Sequence, residues 1–334
     1  PVDEGSRNAH LLSLAGSMRR KGLGEDAIRA ALVDENRRRC QPPLADAEVA
    51  GIAKSVARYA PGSPSLSRNR TDRGNAERLK DHAGADLRFV WVWDSWMVWD
   101  GRRWKRDAGG EILRRARDTV RALAAMAEAL DDEKQRAGLV KHALKTESAG
   151  KLQAMVKLGA CLLGEEPAAF DQRPWLLNCL NGTIDLRTGE LGPHRRGDLL
   201  TKLVSVEFDP AATCPRWEAF LLQVMDGNLE MAAFLQRAVG YSLTGATVEQ
   251  VLFLLYGTGA NGKSTFTETL RALLADYATQ AEFTTFLART SDSVRNDIAR
   301  LVGARFVSAS EAEGGRPLAE AVVKQMTGGD IVTA

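Results

Sequence analysis

Apolar residues in the first part of the chain recur at the three-to-four-residue spacing of an α-helix. Leu11 and Ala15 lie on one face of a predicted first helix. A second helix is predicted from about Glu25 to Cys40, and Asp46 is a residue type that often begins a helix, so we expect a third helix there. Three short helices can enclose one small core. The pattern therefore predicts an all-helical module at residues 1–60.

A polar stretch rich in Pro, Ser, Gly, Arg and Asn follows the helical module. We interpret residues 61–83 as a linker. Beyond it, an Asp100-Gly101 pair between aromatic runs predicts a hairpin, and residues 111–164 are dominated by helix-forming residues. Short runs separated by turn pairs such as Asn181-Gly182 predict further strands. The sequence thus predicts a domain with both helices and strands (α+β) at residues 84–206.

The pattern of the last part of the chain, residues 207–334, is that of an α/β domain. A helical stretch is predicted from Trp217 to about Leu243. The continuous apolar run from Val251 to Tyr256 predicts a buried parallel strand, because such strands are covered on both faces. A second strand-like run covers residues 304–309.

Composition and charge place few further limits on the protein. Hydrophobic residues make up 44% and charged residues 26% of the chain, which indicates a folded protein. The net charge of +2 gives no overall indication of a partner. No apolar run approaches the roughly 20 residues that span a bilayer, so we expect no membrane contact. Four cysteines without the spacing of a zinc site fit a reducing compartment, and we expect the cytoplasm of a bacterial host cell.

One segment carries a clear chemical motif. The sequence GTGANGKST after the apolar run matches the phosphate-loop pattern G-x-x-x-x-G-K-[ST] in full, and helix-forming residues follow it. Small residues let backbone N–H groups converge on phosphate oxygens. We expect Lys263 to reach the β- and γ-phosphates and Ser264 to bind Mg²⁺. The residues predicted to hold ATP are Gly257, Thr258, Gly259, Ala260, Asn261, Gly262, Lys263, Ser264 and Thr265.

A phosphate loop acts with a carboxylate that helps to hold Mg²⁺ and orients the attacking water. Glu311 follows the strand-like run 304–309, at the carboxyl end where ligands bind in open α/β sheets. Glu313 is a weaker candidate for the same role. We therefore predict Lys263 and Glu311 as catalytic residues, and Ser264 and Glu311 as the metal-binding pair.

Several short motifs together resemble phage and plasmid primase-helicases, which are related to the poxvirus primase-helicase. The region from Phe208 to Thr333 resembles their superfamily 3 helicase domain. The Trp-rich strands and residues 181–186 resemble the domain that precedes the helicase, and residues 5–60 resemble the small helical domain that follows the primase. The matching motifs of the helicase region are Phe208-Asp209-Pro210, Cys214-Pro215-Arg216-Trp217, Gly240-Tyr241-Ser242-Leu243-Thr244-Gly245, the phosphate loop, Ser310-Glu311 and Thr327-Gly328-Gly329-Asp330.

The resemblance implies an AAA+-like superfamily 3 helicase core that hydrolyses ATP as a homo-oligomeric ring, usually a hexamer. Its partners would be single-stranded DNA or a DNA fork. The resemblance also implies a primase domain before Pro1, and a sensor asparagine and an arginine finger after Ala334. The chain starts without Met and stops in mid-pattern, so we expect it to be part of a longer protein with a truncated helicase domain.

Alternatives remain open at this point. The phosphate loop also fits a phosphotransferase with a small acceptor, or a replication adaptor that binds nucleotide without catalysis.

A separate question concerns Trp99 and Trp104, which are flanked by basic residues: Arg102, Arg103, Lys105 and Arg106. Such residues can stack on and neutralise single-stranded nucleic acid. The simpler interpretation, which we favour, is that all five tryptophans between Trp91 and Trp104 fill a core and the basic residues face water.

Overall fold

The computed structural model describes most of the chain and shows a mixed architecture of helices and sheets. Its described residues fall into two compact units. Unit 1 comprises Pro1–Val98 and Arg106–Glu165, and unit 2 comprises Trp99–Lys105 and Glu166–Ala334. Each helix among the described residues is too short or too polar to span a bilayer. The described ranges are 2–3, 5–20, 23–57, 64–128, 130–257, 259–288, 296–310 and 317–328.

The three helices predicted at the start of unit 1 are present. They are α1 (Arg7–Arg20), α2 (Glu25–Arg39) and α3 (Asp46–Ala57). The side chain of buried Asn36 donates to the Leu44 carbonyl and accepts from the Leu44 N–H, both at 2.9 Å, which fixes the connection from α2 to α3. The helices enclose a core of their own, to which each contributes fully buried residues: Leu11, Ala15, Ile28, Leu32, Val49 and Ala53.

The interpretation of residues 61–83 as a linker is wrong for most of that range. Residues Pro64–Ser67 form the short helix α4, and Asp72–Ala83 form α5. The apolar stripe of α5 is narrow, and the charged residues around it hide it in the sequence. Arg78 is buried on this helix, and its guanidinium donates to the backbone carbonyls of residues 65, 68 and 69. The charged Arg78 side chain is tolerated inside unit 1 because these carbonyl groups accept its hydrogen bonds.

The rest of unit 1 is built around a strand pair and three longer helices. Strands β1 and β2 pair antiparallel, with Leu87 opposite Val98, and a turn containing Trp91 and Trp93 joins them. Trp91 is 57% exposed and Trp93 37%, whereas Trp96 is buried, so the tryptophans of this unit do not all fill its core. The elements wholly within unit 1 are β1 (Leu87–Val90), α6 (Glu111–Glu128), α7 (Glu133–Thr146) and α8 (Ala149–Leu162). Strand β2 (Ser95–Trp99) ends with the first residue of unit 2, and β3 (Trp104–Arg106) has its first two residues in unit 2.

Unit 2 contains a three-stranded antiparallel sheet, a parallel strand pair and several helices. The antiparallel sheet has the order β4-β5-β6, and β7 pairs parallel with β8, with Ala278 opposite Phe306. The elements are β4 (Leu176–Cys179), β5 (Gly182–Asp185), β6 (Glu190–Gly192), α9 (Pro215–Val224), α10 (Leu229–Leu243), α11 (Lys263–Leu274), β7 (Ala278–Gln280), α12 (Asn296–Ala299), β8 (Phe306–Ser308) and α13 (Glu320–Gly328).

The prediction of a buried strand from Val251 to Tyr256 is wrong. These residues belong to no strand, and their side chains are 40–92% exposed. Residues 251–255 instead line a cavity of about 360 Å³ together with residues of β8 and α13. A strand is stable only when its N–H and C=O groups pair with a neighbouring strand. No described strand pairs with this segment, so its apolar sequence is not sufficient to make it a strand.

Buried Asn178 in β4 connects four parts of unit 2. Its amide nitrogen donates to the carbonyls of Arg102 (3.0 Å) and Lys202 (3.1 Å), and its Oδ1 accepts from the Thr183 hydroxyl at 3.0 Å. The same oxygen lies 2.8 Å from His194 Nδ1, and the backbone N–H of Asn178 donates to the Tyr277 hydroxyl. One side chain therefore satisfies groups from the tip of the β2–β3 hairpin (residues 99–105), the antiparallel sheet and the segment around residue 202.

We expect Asn178→Ala to destabilise unit 2 by roughly 2–4 kcal/mol, because it leaves several buried polar groups without partners. The free energy of unfolding would be measured by urea denaturation followed by circular dichroism. Gln153→Ala, which truncates an exposed amide on α8, is the control and should change stability by less than about 0.5 kcal/mol. Equal stability of the two variants would contradict the importance of this network.

Candidate functional site

The phosphate-loop sequence forms a tight loop that ends at the first residue of α11, as the motif predicts. Helix α11 begins at Lys263, and Gly262 before it has a φ of +84°. Gly257 has a φ of +146° and Ala260 a φ of +60°. Residues other than glycine rarely adopt a positive φ angle, so the loop needs the glycines at its two ends. Of the residues predicted to hold ATP, Thr258 lies outside the described residues.

Gly262 is also required by its surroundings. A Cβ atom at this position would lie 2.6 Å from Val224 Cγ1 and 3.1 Å from the ring of Phe220. Both of these residues belong to α9, and they press against the loop where it enters α11. At Gly259 a Cβ atom would meet nothing within 4 Å. The contact with α9 was not predicted from the sequence, where only the helical pattern of α9 was visible.

The polar side chains of the loop lie near the beginning of α11. Lys263 Nζ donates to the Gly257 carbonyl (3.1 Å) and to Asn261 Oδ1 (2.7 Å), so its ammonium group lies across the loop. Ser264 and Thr265 are exposed in the first turn of the helix. The beginning of a helix carries partial positive charge and N–H groups without helical partners, which together attract anions. Solvent can reach this arrangement.

Aromatic packing fixes the direction of α11. Phe266 is buried one turn into the helix and stacks on Trp217 of α9, with ring centroids 5.7 Å apart and planes 13° apart. Leu270 continues the same core, and Phe306 of β8 packs against it. Trp217 belongs to one of the motifs that carry the family resemblance. Through its contact with Phe266, Trp217 helps to fix the position of α11, the helix that follows the phosphate loop.

A half-buried cation anchors the start of the parallel strand pair. Arg305, just before β8, donates to the carbonyls of Leu243 (2.7 Å) and Leu176 (2.8 Å), and its guanidinium lies 4.5 Å from the centre of the Tyr277 ring. Burial lowers the pKa of Arg305 and raises the pKa of Tyr277 to about 12. Tyr277 therefore stays neutral at physiological pH. The pair holds the beginnings of β7 and β8 side by side.

The carboxylate predicted to act with the phosphate loop is not among the described residues. Strand β8 ends at Ser308, in the range where the sequence predicts a strand, and Ser310 is exposed. Glu311 and Glu313 lie outside the described residues. Within the described ranges, no group of three or more His, Cys, Asp or Glu side chains could hold a metal ion. Binding of Mg²⁺ by Ser264 and Glu311 therefore stays a prediction.

Two family models match the chain. Residues 1–62 match the model described as primase C terminal 1 (PriCT-1), and residues 76–226 match the model described as D5 N terminal like. A protein of Acanthamoeba polyphaga mimivirus named "Putative helicase" is 25% identical over 172 residues. This match covers 49% of the chain but 18% of the viral protein. Together these matches support the recognition of the chain as part of a phage or plasmid primase-helicase.

The packing around Gly262 leads to a prediction about the phosphate loop. We expect Gly262→Ala to weaken binding of a fluorescent ATP analogue at least about tenfold, because the left-handed conformation alone costs an L-residue roughly 1–2 kcal/mol. Contact with Val224 adds to that cost. Gly259→Ala is the matched control, and its affinity should stay within about threefold of wild type because open space surrounds that position. If both variants bind equally well, the loop does not hold the nucleotide in the conformation described.

Proposed function

We propose that this chain contributes the nucleotide-binding part of an ATP-dependent DNA helicase that acts in the replication of a phage, plasmid or prophage. The observation that carries the proposal is the phosphate loop closed onto the first turn of α11, with Lys263 across it. The matches to the two family models support a role in DNA replication. The mimivirus protein named as a helicase supports unwinding as the activity.

The loop residues fit ATP and Mg²⁺ in their chemistry. The loop would bind the phosphates through its backbone N–H groups, with Lys263 neutralising charge on the β- and γ-phosphates. The exposed Ser264 hydroxyl would be a ligand of Mg²⁺, with Glu311 as its acidic partner. Glu311 would also accept the proton of the water that attacks the γ-phosphate. ATP supplies the free energy that drives movement along DNA.

We also propose that residues 207–334 belong to a helicase core of the AAA+-like α/β type. The parallel pair β7–β8 and the packing of Phe306 against α11 support this, because helices cover the faces of parallel sheets. Residues 84–206 would be the domain that precedes this core, and residues 1–60 would connect it to an upstream primase domain. The active form would be a ring, usually a hexamer, on single-stranded DNA or a DNA fork.

We expect Lys263→Ala in the full-length protein to reduce ATP binding or turnover at least about tenfold, because it removes the side-chain cation aimed at the β- and γ-phosphates. ATP hydrolysis would be followed with and without single-stranded DNA. Lys157→Ala, at an exposed position on α8, is the control. Unchanged ATP affinity and turnover in Lys263→Ala would exclude the phosphate loop as the site. Turnover stimulated by a small acceptor rather than by DNA would indicate a phosphotransferase, and ATP binding without turnover would indicate an adaptor.

Glu311→Gln should keep ATP bound and slow its hydrolysis by about 10²-fold or more, because an amide cannot accept the proton of the attacking water. Equilibrium binding of ATP and single-turnover hydrolysis would be measured on the same full-length protein. Glu313→Gln is the matched comparison, two residues away. If Glu313→Gln is the slow variant and Glu311→Gln is not, the catalytic role belongs to Glu313.

A further inference from the structure

Two basic segments of unit 2 are far apart in the sequence but lie side by side in the structure. The hairpin tip, residues 99–105, is bound to residues 194–202 through Trp104, whose backbone N–H donates to the Leu200 carbonyl (2.8 Å) and whose indole N–H donates to the Arg196 carbonyl (2.9 Å). Asn178 adds a second link between the same two segments. We name residues 99–105 and 194–202 together the basic hairpin surface.

This surface concentrates positive charge that the whole chain does not have. Its two segments hold six Lys and Arg residues but two Asp residues, whereas all 334 residues carry a net charge of +2. The exposed cations are Arg102, Lys105, Arg195 and Arg196.

The cations of the basic hairpin surface differ in their partners. Arg103 is largely buried and pairs with Asp276 and with Asp100, so it holds the hairpin in place. Arg102 and Arg195 form no ion pair within 4 Å in the described part of the chain. Two arginines whose charge is left without a partner, on a backbone fixed by buried hydrogen bonds, suit an anionic partner.

The tryptophans of the hairpin decide what kind of contact is possible. Trp99 is buried, and Trp104 is fully buried with its ring against Phe170. The interpretation that the tryptophans fill a core while the basic residues face water therefore holds for Trp99 and Trp104, but it is wrong for exposed Trp91 and Trp93 and for largely buried Arg103. The two buried rings of the hairpin are not available to stack on a base. The surface therefore presents positive charge without aromatic faces. Such a surface contacts phosphates rather than bases and is indifferent to sequence.

We propose that the basic hairpin surface binds the phosphate backbone of DNA through Arg102 and Arg195, outside the ATP site. The choice of DNA as the anionic partner rests on the proposed function. The charge and the geometry of the surface do not depend on that function. It would give the protein a contact with DNA that needs no nucleotide and weakens steeply with salt.

The test is Arg102→Gln combined with Arg195→Gln in the full-length protein. Binding of a labelled 25-nucleotide oligo-dT strand and of a labelled 25-base-pair duplex would be measured by fluorescence anisotropy without nucleotide, over a series of NaCl concentrations. We expect at least about tenfold weaker binding. The slope of log affinity against log salt should fall by about 1.4 for the single strand and about 1.8 for the duplex if both arginines neutralise a phosphate. A thermal melt would check that the variant is folded.

Lys134→Gln combined with Lys141→Gln is the matched control, since both residues are exposed on α7 and removing them changes net charge equally. Its affinity and salt slope should equal those of wild type. Wild-type affinity and slope in the arginine variant, or the same loss in the lysine control, would overturn the proposal. Lys263→Ala separates the two proposals. This variant should bind DNA like wild type, because DNA binding is measured without nucleotide. A loss of its ATPase activity would therefore test the ATP site and not the basic hairpin surface.

Discussion

The buried amide of Asn178 is the interaction on which unit 2 depends most. Its donors and acceptor meet groups from the hairpin tip, the antiparallel sheet and the segment around Lys202, and its backbone meets Tyr277. Tyr277 in turn lies under Arg305, which holds the beginning of β8. An amide with all its groups satisfied specifies one arrangement of these parts, since any other would leave buried polar groups unpaired. The basic hairpin surface and the strand pair are thus connected through one side chain.

Local patterns predicted the local structure well. Helices α1–α3 and the start of α11 could be predicted because the spacing of apolar residues and the position of glycines act within a few positions. Asp46, which we expected to begin α3 as its cap, is instead the first residue of the helix. Failures occurred where the outcome depends on distant residues. Residues 251–256 have the composition of a strand but pair with no strand in the described part of the chain. Arg78 in α5 is buried because carbonyls outside its helix accept its hydrogen bonds. In the candidate site, the loop followed from its motif, but the contact of Val224 with Gly262 did not, because they are far apart in sequence.

The two proposed binding regions use different physical means. The phosphate loop relies on backbone groups at the start of one helix, so a short contiguous motif is sufficient to encode it. The basic hairpin surface relies on exposed side chains from two segments whose alignment depends on buried Trp104. A search for motifs finds the first kind of region and misses the second. Both require a rigid support, which α9 provides for the loop and Asn178 for the hairpin.

The path of the chain has a consequence for its synthesis. Residues 99–105 belong to unit 2, but they are translated between two stretches of unit 1. The partners of Trp104 near Leu200 are translated about ninety residues later, which takes roughly 5–20 seconds at typical elongation rates. During that interval the indole N–H has no native acceptor, because the Arg196 carbonyl is translated later. No single cut can separate the two units, so neither can be expressed whole as one contiguous segment.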